Sequence, residues 1–600
     1  MKVISVLLFV LAAAQLGYSR PQAGRPVSST ARNPIPGLLR QPKMDLLGIT
    51  CAACTVIAGV TDQLAEVHGE SYGKALQRFC NALPSPYSGL CGAFRLIFGV
   101  QITSSLNKGE TPDTTCMAMK LCSEPANGAG MCHLYPSKHA KGASAEEVRA
   151  HVDQLIRELP AATRAVDPRL NICDIPLLGS LICGYLNVEA FAINLPADDD
   201  DDDGFSDKRT LRGSDWRGKD CSDRNANIYP GRKPSFGDNV ADTNCNGIYG
   251  VDPGNNRPFE EALCENSQAK GVVVLGDSVA ANFHVPGEWF NASLINSDLF
   301  KNLTYMMDNS LNWPHTSVYT GFENVTWSII DGTTDSVYLR MRERNLCNHR
   351  DYQNLGVNGA TMMEANGFAQ NLRRNSNNDK SSLVLFAYIG NDVCDYDVNN
   401  IPHSLDQMTT AAEARVALVE TLTTLDRKLA PGSHVVVIGV ADARPFFAGI
   451  HDQIHPFGSL RRDVTYNDFY TWLSCLDINP CPGWLTRDDR IHNYTAQRVS
   501  ELNEALEKTV AEYKNRFQNL EPVYLANPIY EVIARQEALG GKGWQLVEKF
   551  DGFHPNQKGH KLLAEVAWDA MEKTHPHVLG PINPNNERIR TLFGDQGGHI

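Results

Sequence analysis

Four short blocks in the C-terminal half carry residue types that could perform nucleophilic acyl transfer. Gly276-Asp277-Ser278 follows the apolar run 271–275. A serine in such a strand-to-helix turn presents its hydroxyl at a sheet edge, beside the backbone N–H groups of a helix start. Alone, the tripeptide reads better as a helix N-cap, a position that Asp and Ser favour. Gly390-Asn391-Asp392 follows a second apolar run. Asn391 could aim its amide N–H into the same pocket, although Gly, Asn and Asp also favour plain turns. Between them lies Asn358-Gly359, whose glycine would let a backbone N–H approach a substrate closely. Near the C-terminus comes Asp551-Gly552-Phe553-His554-Pro555, where an Asp and a His three apart can face one pocket from one loop. The carboxylate then orients the imidazole. As an ordered set the four blocks are far more specific than any one of them. His284, His315, His349, His451, His455 and His492 have no such paired motif and read as structural.

Positioning these groups is the work of the elements around them. Residues 271–275, 382–389, 434–439 and 522–525 read as buried strands, and helical periodicity fills about 410–429, 495–513 and 557–573. Alternation of this kind predicts a parallel α/β sheet, with ligands gathering past the carboxyl ends of its strands. At 600 residues the chain exceeds one core, so two or more domains are expected. Residues 46–136 are helical and cysteine-rich, 137–197 form a link holding Arg157, Arg164 and Arg169, and 198–254 are acidic and rich in Gly and Asn. The α/β part takes 265–600.

Lys2, the apolar run 3–14 and Gly17-Tyr18-Ser19 read as a secretory signal over 1–19, and 20–43 as a leader or propeptide. The signal's apolar run is too short to cross a bilayer, and no later stretch is read as a span. The 16 cysteines fit an oxidising compartment, and glycosylation sequons at Asn291, Asn302, Asn324 and Asn493 agree with it. A net charge of −14, part of it in residues 198–203, disfavours a nucleic-acid partner.

The plain reading of the acidic segment is a solvated linker. Against it, Asp199, Asp201, Asp203 and Asp207 alternate around Gly204 as oxygen ligands do in a calcium loop, with Phe205 able to offer its carbonyl. Asp220, Asp223 and Asn225 extend the set, as do Asp242, Asn244 and Asn246, and Cys221 and Cys245 could cross-link these loops. Structural calcium is therefore expected.

The four blocks resemble the SGNH (GDSL-type) hydrolases. That resemblance implies Ser278 as nucleophile, His554 as general base and Asp551 as the group that holds the imidazole tautomer. It also implies an oxyanion hole made by the N–H groups of Ser278 and Gly359 with the Asn391 side chain. Cys51, Cys54, Cys80, Cys91, Cys116 and Cys122 permit many connectivities by themselves, and an oxidising compartment makes zinc the poorer alternative. With Val56, Ile57, Val60, Leu64 and Val67 between them, they resemble the saposin B fold. This implies the pairs Cys51–Cys122, Cys54–Cys116 and Cys80–Cys91, and an apolar helical face that binds lipid.

The order of saposin-like module, calcium-binding link and SGNH hydrolase resembles the acyloxyacyl hydrolase family. Its least generic stretches are 246–253 and 593–599, with 216–221 a looser match. The fold class this implies is multidomain: a small all-α, disulfide-stapled saposin-like domain and an α/β hydrolase with a parallel sheet, joined by a calcium-binding linker region. The resemblance further implies an esterase that removes secondary fatty acyl chains from lipopolysaccharide lipid A, in a secreted or lysosomal and endocytic setting. Transient contact with lipid aggregates or a membrane surface would pass through the saposin module. It also implies a precursor cut within about 157–170 into two disulfide-linked subunits, and the bonds Cys132–Cys475, Cys173–Cys183, Cys264–Cys347 and Cys394–Cys481. Two rival readings are a lipid-binding or transfer protein with an inactive hydrolase domain, and an esterase of other lipids or acetylated glycans. The complete set of site residues argues against the first, and the lipid-binding module against acetyl substrates.

Overall fold

The computed structural model describes residues 46–122, 132–135, 150, 154, 194–325, 327, 329–330, 332–394 and 407–600. The signal, the leader, most of the link and both Cys173 and Cys183 lie outside the described residues. Among the described residues, the N-terminal module has four helices: α1 (Leu46–His68), α2 (Tyr72–Ala82), α3 (Tyr87–Asn107) and α4 (Pro112–Ala118). Gly69, at φ +57°, ends α1 in the left-handed conformation that favours glycine. Thr111 caps α4 by accepting from the Thr114 N–H, with Pro112 inside the first turn. Disulfides Cys51–Cys122, Cys54–Cys116 and Cys80–Cys91 staple the helices in the three expected pairs.

By length and composition, residues 48–68 and 87–107 are each long and apolar enough to cross a membrane, although the charged residues within them keep either from reading as a span. For α1 the reason for this apolarity is burial, since it packs between its own module and the hydrolase. α3 instead leaves Leu96, Ile97 and Val100 exposed.

Among the described residues, the hydrolase is built on five parallel strands in the order β2-β1-β3-β4-β5: β1 (Lys270–Gly276), β2 (Tyr352–Asn354), β3 (Ser381–Ala387), β4 (Ser433–Ile438) and β5 (Leu520–Leu525). Alternate residues supply its two faces. Val273, Leu275, Val384, Phe386, Val435 and Val437 join a core that runs continuously into the helical module. Val272, Val274, Leu383, Leu385, Val436 and Val523 pack on the other side. The short edge strand β2 is an addition to the sequence reading. Its Tyr-Gln-Asn sequence has no apolar run, and the acidic linker covers it: Gly218 N–H donates to Tyr352 O and Asn354 N–H to Trp216 O, at 2.9 and 2.7 Å. An otherwise open sheet edge is thereby closed.

The helices that matter for the site are α5 (Ser278–Ala281), α6 (Ala411–Lys428), α7 (Tyr466–Cys475), α8 (Asp489–Tyr513) and α9 (Gln557–Thr574). A Thr410/Glu413 capping box starts α6, and Asp488 caps α8, whose first residue lies six residues before the periodicity becomes visible. The module is fixed to the hydrolase by Cys132–Cys475, by Gln63 Nε2 donating to Phe457 O (2.7 Å), and by Arg461 gripping Asp62 and Glu66. Cys221–Cys245, Cys264–Cys347 and Cys394–Cys481 are also formed. Asn324 and Asn493 are exposed, while Asn291 and Asn302 are half-buried.

Candidate active site

β1 delivers Ser278 to the first position of α5, at the point where strand order reverses between β1 and β3. Asp277 caps α5 through the Val279 N–H (3.0 Å). The other oxygen of Asp277 accepts from the N–H groups of Ile389 and Gly390 (2.9 and 3.1 Å), so one buried carboxylate ties the end of β1 to the end of β3. Burial pushes that carboxyl upward against these three N–H donors. The sequence offered Asp277 only as an N-cap; its second role needs the neighbouring strand.

His554 Nε2 lies 2.9 Å from Ser278 Oγ, and His554 Nδ1 lies 2.5 Å from Asp551 Oδ2. All three residues are buried. The remaining Asp551 oxygen accepts from the N–H groups of Phe553 and His554, and Tyr470 hydroxyl donates to the Asp551 carbonyl. Asp551 therefore has one direction left in which to accept the imidazole N–H. A proton on Nδ1 leaves Nε2 unprotonated and able to take the serine proton.

Gly359 lies in the loop beyond β2 at φ +77°, a conformation open to glycine. This loop is held against the nucleophile turn, with Val357 N–H donating to Gly276 O (3.0 Å). Asn391 Nδ2 donates to Ala360 O (3.0 Å), which joins the loops after β2 and β3 and leaves one amide N–H for a ligand. Beneath Asn391, the buried Asp392 accepts from Met362 N–H and Thr409 hydroxyl, and burial pushes its carboxyl up to about 7. Asn391, Asp551 and His554 line a shallow pocket with Tyr470, Leu485, Phe553 and the Cys394–Cys481 bridge. The reactive edge is thus polar on one side and apolar on the other.

The other histidines sort by partner. His455, His492 and His349 each donate through Nε2 to a backbone carbonyl, that of Phe550, Trp484 and Gly598 in turn, and His315 Nδ1 meets the Tyr305 hydroxyl. His451 faces Asp452. These contacts agree with structural roles. His284 is different: its Nδ1 meets the buried Glu548, three residues before Asp551, at 2.5 Å.

In the acidic segment, Asp199, Asp201 and Asp203 converge, as do Asp201, Asp220 and Asp223. One carboxylate oxygen on each of Asp199, Asp201, Asp203 and Asp220 is buried without a hydrogen-bond partner. Burial and mutual repulsion push Asp203 up to about 8 and Asp220 up to about 7. Converging oxygens without proton donors suit a hard cation. Phe205 lies inside this loop, Asp207 borders Asp223, and Asn225 sits exposed beyond it. In the second loop Asp242 accepts from Gly247 N–H, while the Asn244 and Asn246 amides donate to Glu260, a buried carboxylate the sequence did not single out.

Residues 50–184 match the Saposin-like domain family, and residues 272–567 match the GDSL-like Lipase/Acylhydrolase family. Three proteins named Acyloxyacyl hydrolase align with nearly the full chain. The Mus musculus protein is 38% identical over 554 residues, covering 92% of this chain and 94% of its own. The Oryctolagus cuniculus protein is 36% identical over 574 residues (95% and 96%), and the Homo sapiens protein 37% over 555 residues (92% and 94%). With that identity sustained across both domains, the chain belongs to the acyloxyacyl hydrolase family.

Proposed function

We propose that this protein hydrolyses the acyloxyacyl ester bonds of lipopolysaccharide lipid A, releasing secondary fatty acyl chains and so detoxifying it. The observation that carries this reading is the Ser278–His554–Asp551 hydrogen-bond chain at the end of β1, in a hydrolase welded to a saposin-like module. His554 Nε2 takes the Ser278 proton as Oγ attacks the ester carbonyl, and Asp551 stabilises the imidazolium that forms. Charge developing on the carbonyl oxygen is met by the N–H groups of Ser278 and Gly359 and the Asn391 amide. The proton returns through His554 to the departing hydroxyl, which leaves an acyl-serine. Water activated by the same histidine then releases the fatty acid.

Exposing an acyl chain to water costs about 0.8 kcal/mol per methylene, so a receiving apolar surface is needed beside this chemistry. The exposed Leu96, Ile97 and Val100 of α3 suit transient contact with a lipid aggregate, and the apolar wall of Tyr470, Leu485 and Phe553 suits the chain at the ester. Calcium is proposed at Asp199, Asp201, Asp203, Asp220 and Asp223, with the Phe205 carbonyl, Asp207 and Asn225 at its rim. Asp242, Asn244 and Asn246 are proposed for a second position. There it would neutralise clustered carboxylates and stiffen the linker that covers β2. Entry to the secretory route, with delivery to endocytic vesicles or the lysosome, accords with the disulfide-rich chain. A cut within 157–170 would leave the two parts joined by Cys132–Cys475.

Hydrolysis of long-chain and acetyl esters, compared for wild type and His554→Ala, tests the reading. Release of long chains by wild type alone is expected. Cleavage confined to acetyl esters would favour a glycan esterase, and lipid binding without cleavage a carrier.

A further inference from the structure

The two halves of the catalytic apparatus arrive from chain segments 276 residues apart, and only one contact within the triad, Ser278 to His554, spans that gap. A second, buried contact spans it too. Six residues beyond the nucleophile, His284 Nδ1 meets Glu548 Oε1 at 2.5 Å, with both side chains almost wholly enclosed. His284 is tied to the nucleophile turn, because Phe283 N–H donates to Ser278 O (2.9 Å) and the Phe283 ring lies 4.9 Å from the His554 ring. Glu548 is the neck of the loop that carries Asp551 and His554. Its N–H donates to His554 O and its carbonyl accepts from Gly552 N–H, both at 2.7 Å, while Val547 pairs with Pro555. Neither residue lines the pocket beside Asn391.

We propose that His284 and Glu548 are positioning residues, a buried clamp that fixes the base-bearing loop against the nucleophile turn and keeps a negative charge beside His554. The inference rests on the assignment of Ser278 and His554 given above. With a carboxylate as partner, His284 Nδ1 carries the proton, its Nε2 is buried without a hydrogen-bond partner, and the Trp313 ring packs nearly perpendicular to the imidazole at 5.7 Å. The pair thus repeats the His554–Asp551 relation a few residues away, without a serine. The clamp acts by geometry, since a misplacement of about 1 Å in a reacting group can cost a hundredfold in rate. It also acts by charge, since an anion near His554 favours the imidazolium formed during attack.

The titratable groups around the clamp are few. Asp551 and His554 share the loop, and His560 of α9 lies close to both His284 and His554. Behind the loop, Tyr466 hydroxyl donates to Lys549 O and His455 Nε2 meets Phe550 O, while Lys549 turns outward to pair with Glu288. Burial pushes the Glu548 carboxyl up, opposed by the His284 and His554 rings.

The test is steady-state acyl release from lipopolysaccharide across the acid-to-neutral range, using the full chain and the variants Glu548→Gln, His284→Ala, His284→Asn and Ser278→Ala. Glutamine keeps an acceptor for His284 but removes the charge. The acid limb of its kcat/KM profile, which reports protonation of the base, is expected to move to lower pH, with a severalfold lower rate. His284→Ala is expected to lower kcat by roughly ten- to a hundredfold with KM held. Asparagine, whose side-chain N–H can stand in for Nδ1–H, is expected to recover most of that loss. A Glu548→Gln profile that superimposes on wild type, or an asparagine variant as impaired as alanine, overturns the clamp. If His284→Ala fails to fold, the other two variants decide. An active Ser278→Ala would instead overturn the catalytic assignment itself, so the two failures are distinguishable.

Discussion

The proposed proton path follows one line of atoms, from Ser278 Oγ to His554 Nε2 and from His554 Nδ1 to Asp551, and each link has a different expected loss. Replacing Ser278 or His554 by alanine removes the nucleophile or its base, and acyl release is expected to fall by several orders of magnitude, measured as fatty acid per enzyme. Asn391→Ala removes one of the proposed oxyanion donors. A loss of about 10²–10³ in kcat, with little change in KM, is expected in a steady-state assay. A rise in KM alone would place Asn391 in substrate binding instead. Ser278, Asp551 and His554, which the structure brings into one hydrogen-bonded chain, could be singled out in the sequence because each sits in a local motif whose chemistry depends on near neighbours. Asp277, Asp392 and Glu548 could not. Their carboxylates act on N–H and imidazole groups that only the folded sheet brings close, and nothing in the local sequence marks those partners.

Elements position this line by a few cross-links that sequence periodicity does not encode. The strong apolar runs gave β1, β3, β4 and β5 and the helices α6 and α9 close to their true bounds, since burial on both faces leaves a continuous signal. β2 escaped because an edge strand of three polar residues has no such signal, and its stability comes from the linker that pairs with it. Asp113 at the start of α4 shows how such cross-links respond to pH. It is fully enclosed and accepts from the N–H groups of Leu134 and Tyr135 at 2.9 Å, which fixes the segment holding Cys132. Burial, opposed by those N–H donors, pushes its carboxyl up to about 7. A raised pKa means the folded state holds the proton more tightly than the unfolded chain. Its stabilisation is therefore full below the ordinary carboxylate range and is lost as pH rises through about 7. The melting temperature of wild type relative to Asp113→Asn, which does not titrate, is expected to fall over that interval. A difference that grows with pH would mean the two N–H donors hold the carboxylate ionised.

As a whole molecule, the protein joins a saposin-like module to a serine hydrolase and, among the described residues, does so through a continuous core, the Cys132–Cys475 disulfide, the Gln63–Phe457 hydrogen bond and the Arg461 clamp. The linker between them is a folded part of the hydrolase, because it closes the sheet edge at β2. Chelation of calcium is expected to lower the melting temperature, and added calcium to restore it in a concentration-dependent way, with Asp203→Asn shrinking the response. Calorimetry that shows no calcium dependence would return the acidic segment to a solvated linker. Serine in place of Leu96 and Val100 is expected to slow release from lipopolysaccharide aggregates severalfold while leaving a short soluble ester unaffected, because only the aggregate needs an apolar docking face. A matched loss on both substrates would mean a folding defect. The central claim, a serine esterase that takes secondary chains from lipid A, is tested most directly by mass spectrometry of lipopolysaccharide after incubation with wild type and with Ser278→Ala. Loss of the secondary acyl chains alone, by wild type alone, is the expected result. Unchanged lipid A with both proteins, or loss of primary chains, would contradict it.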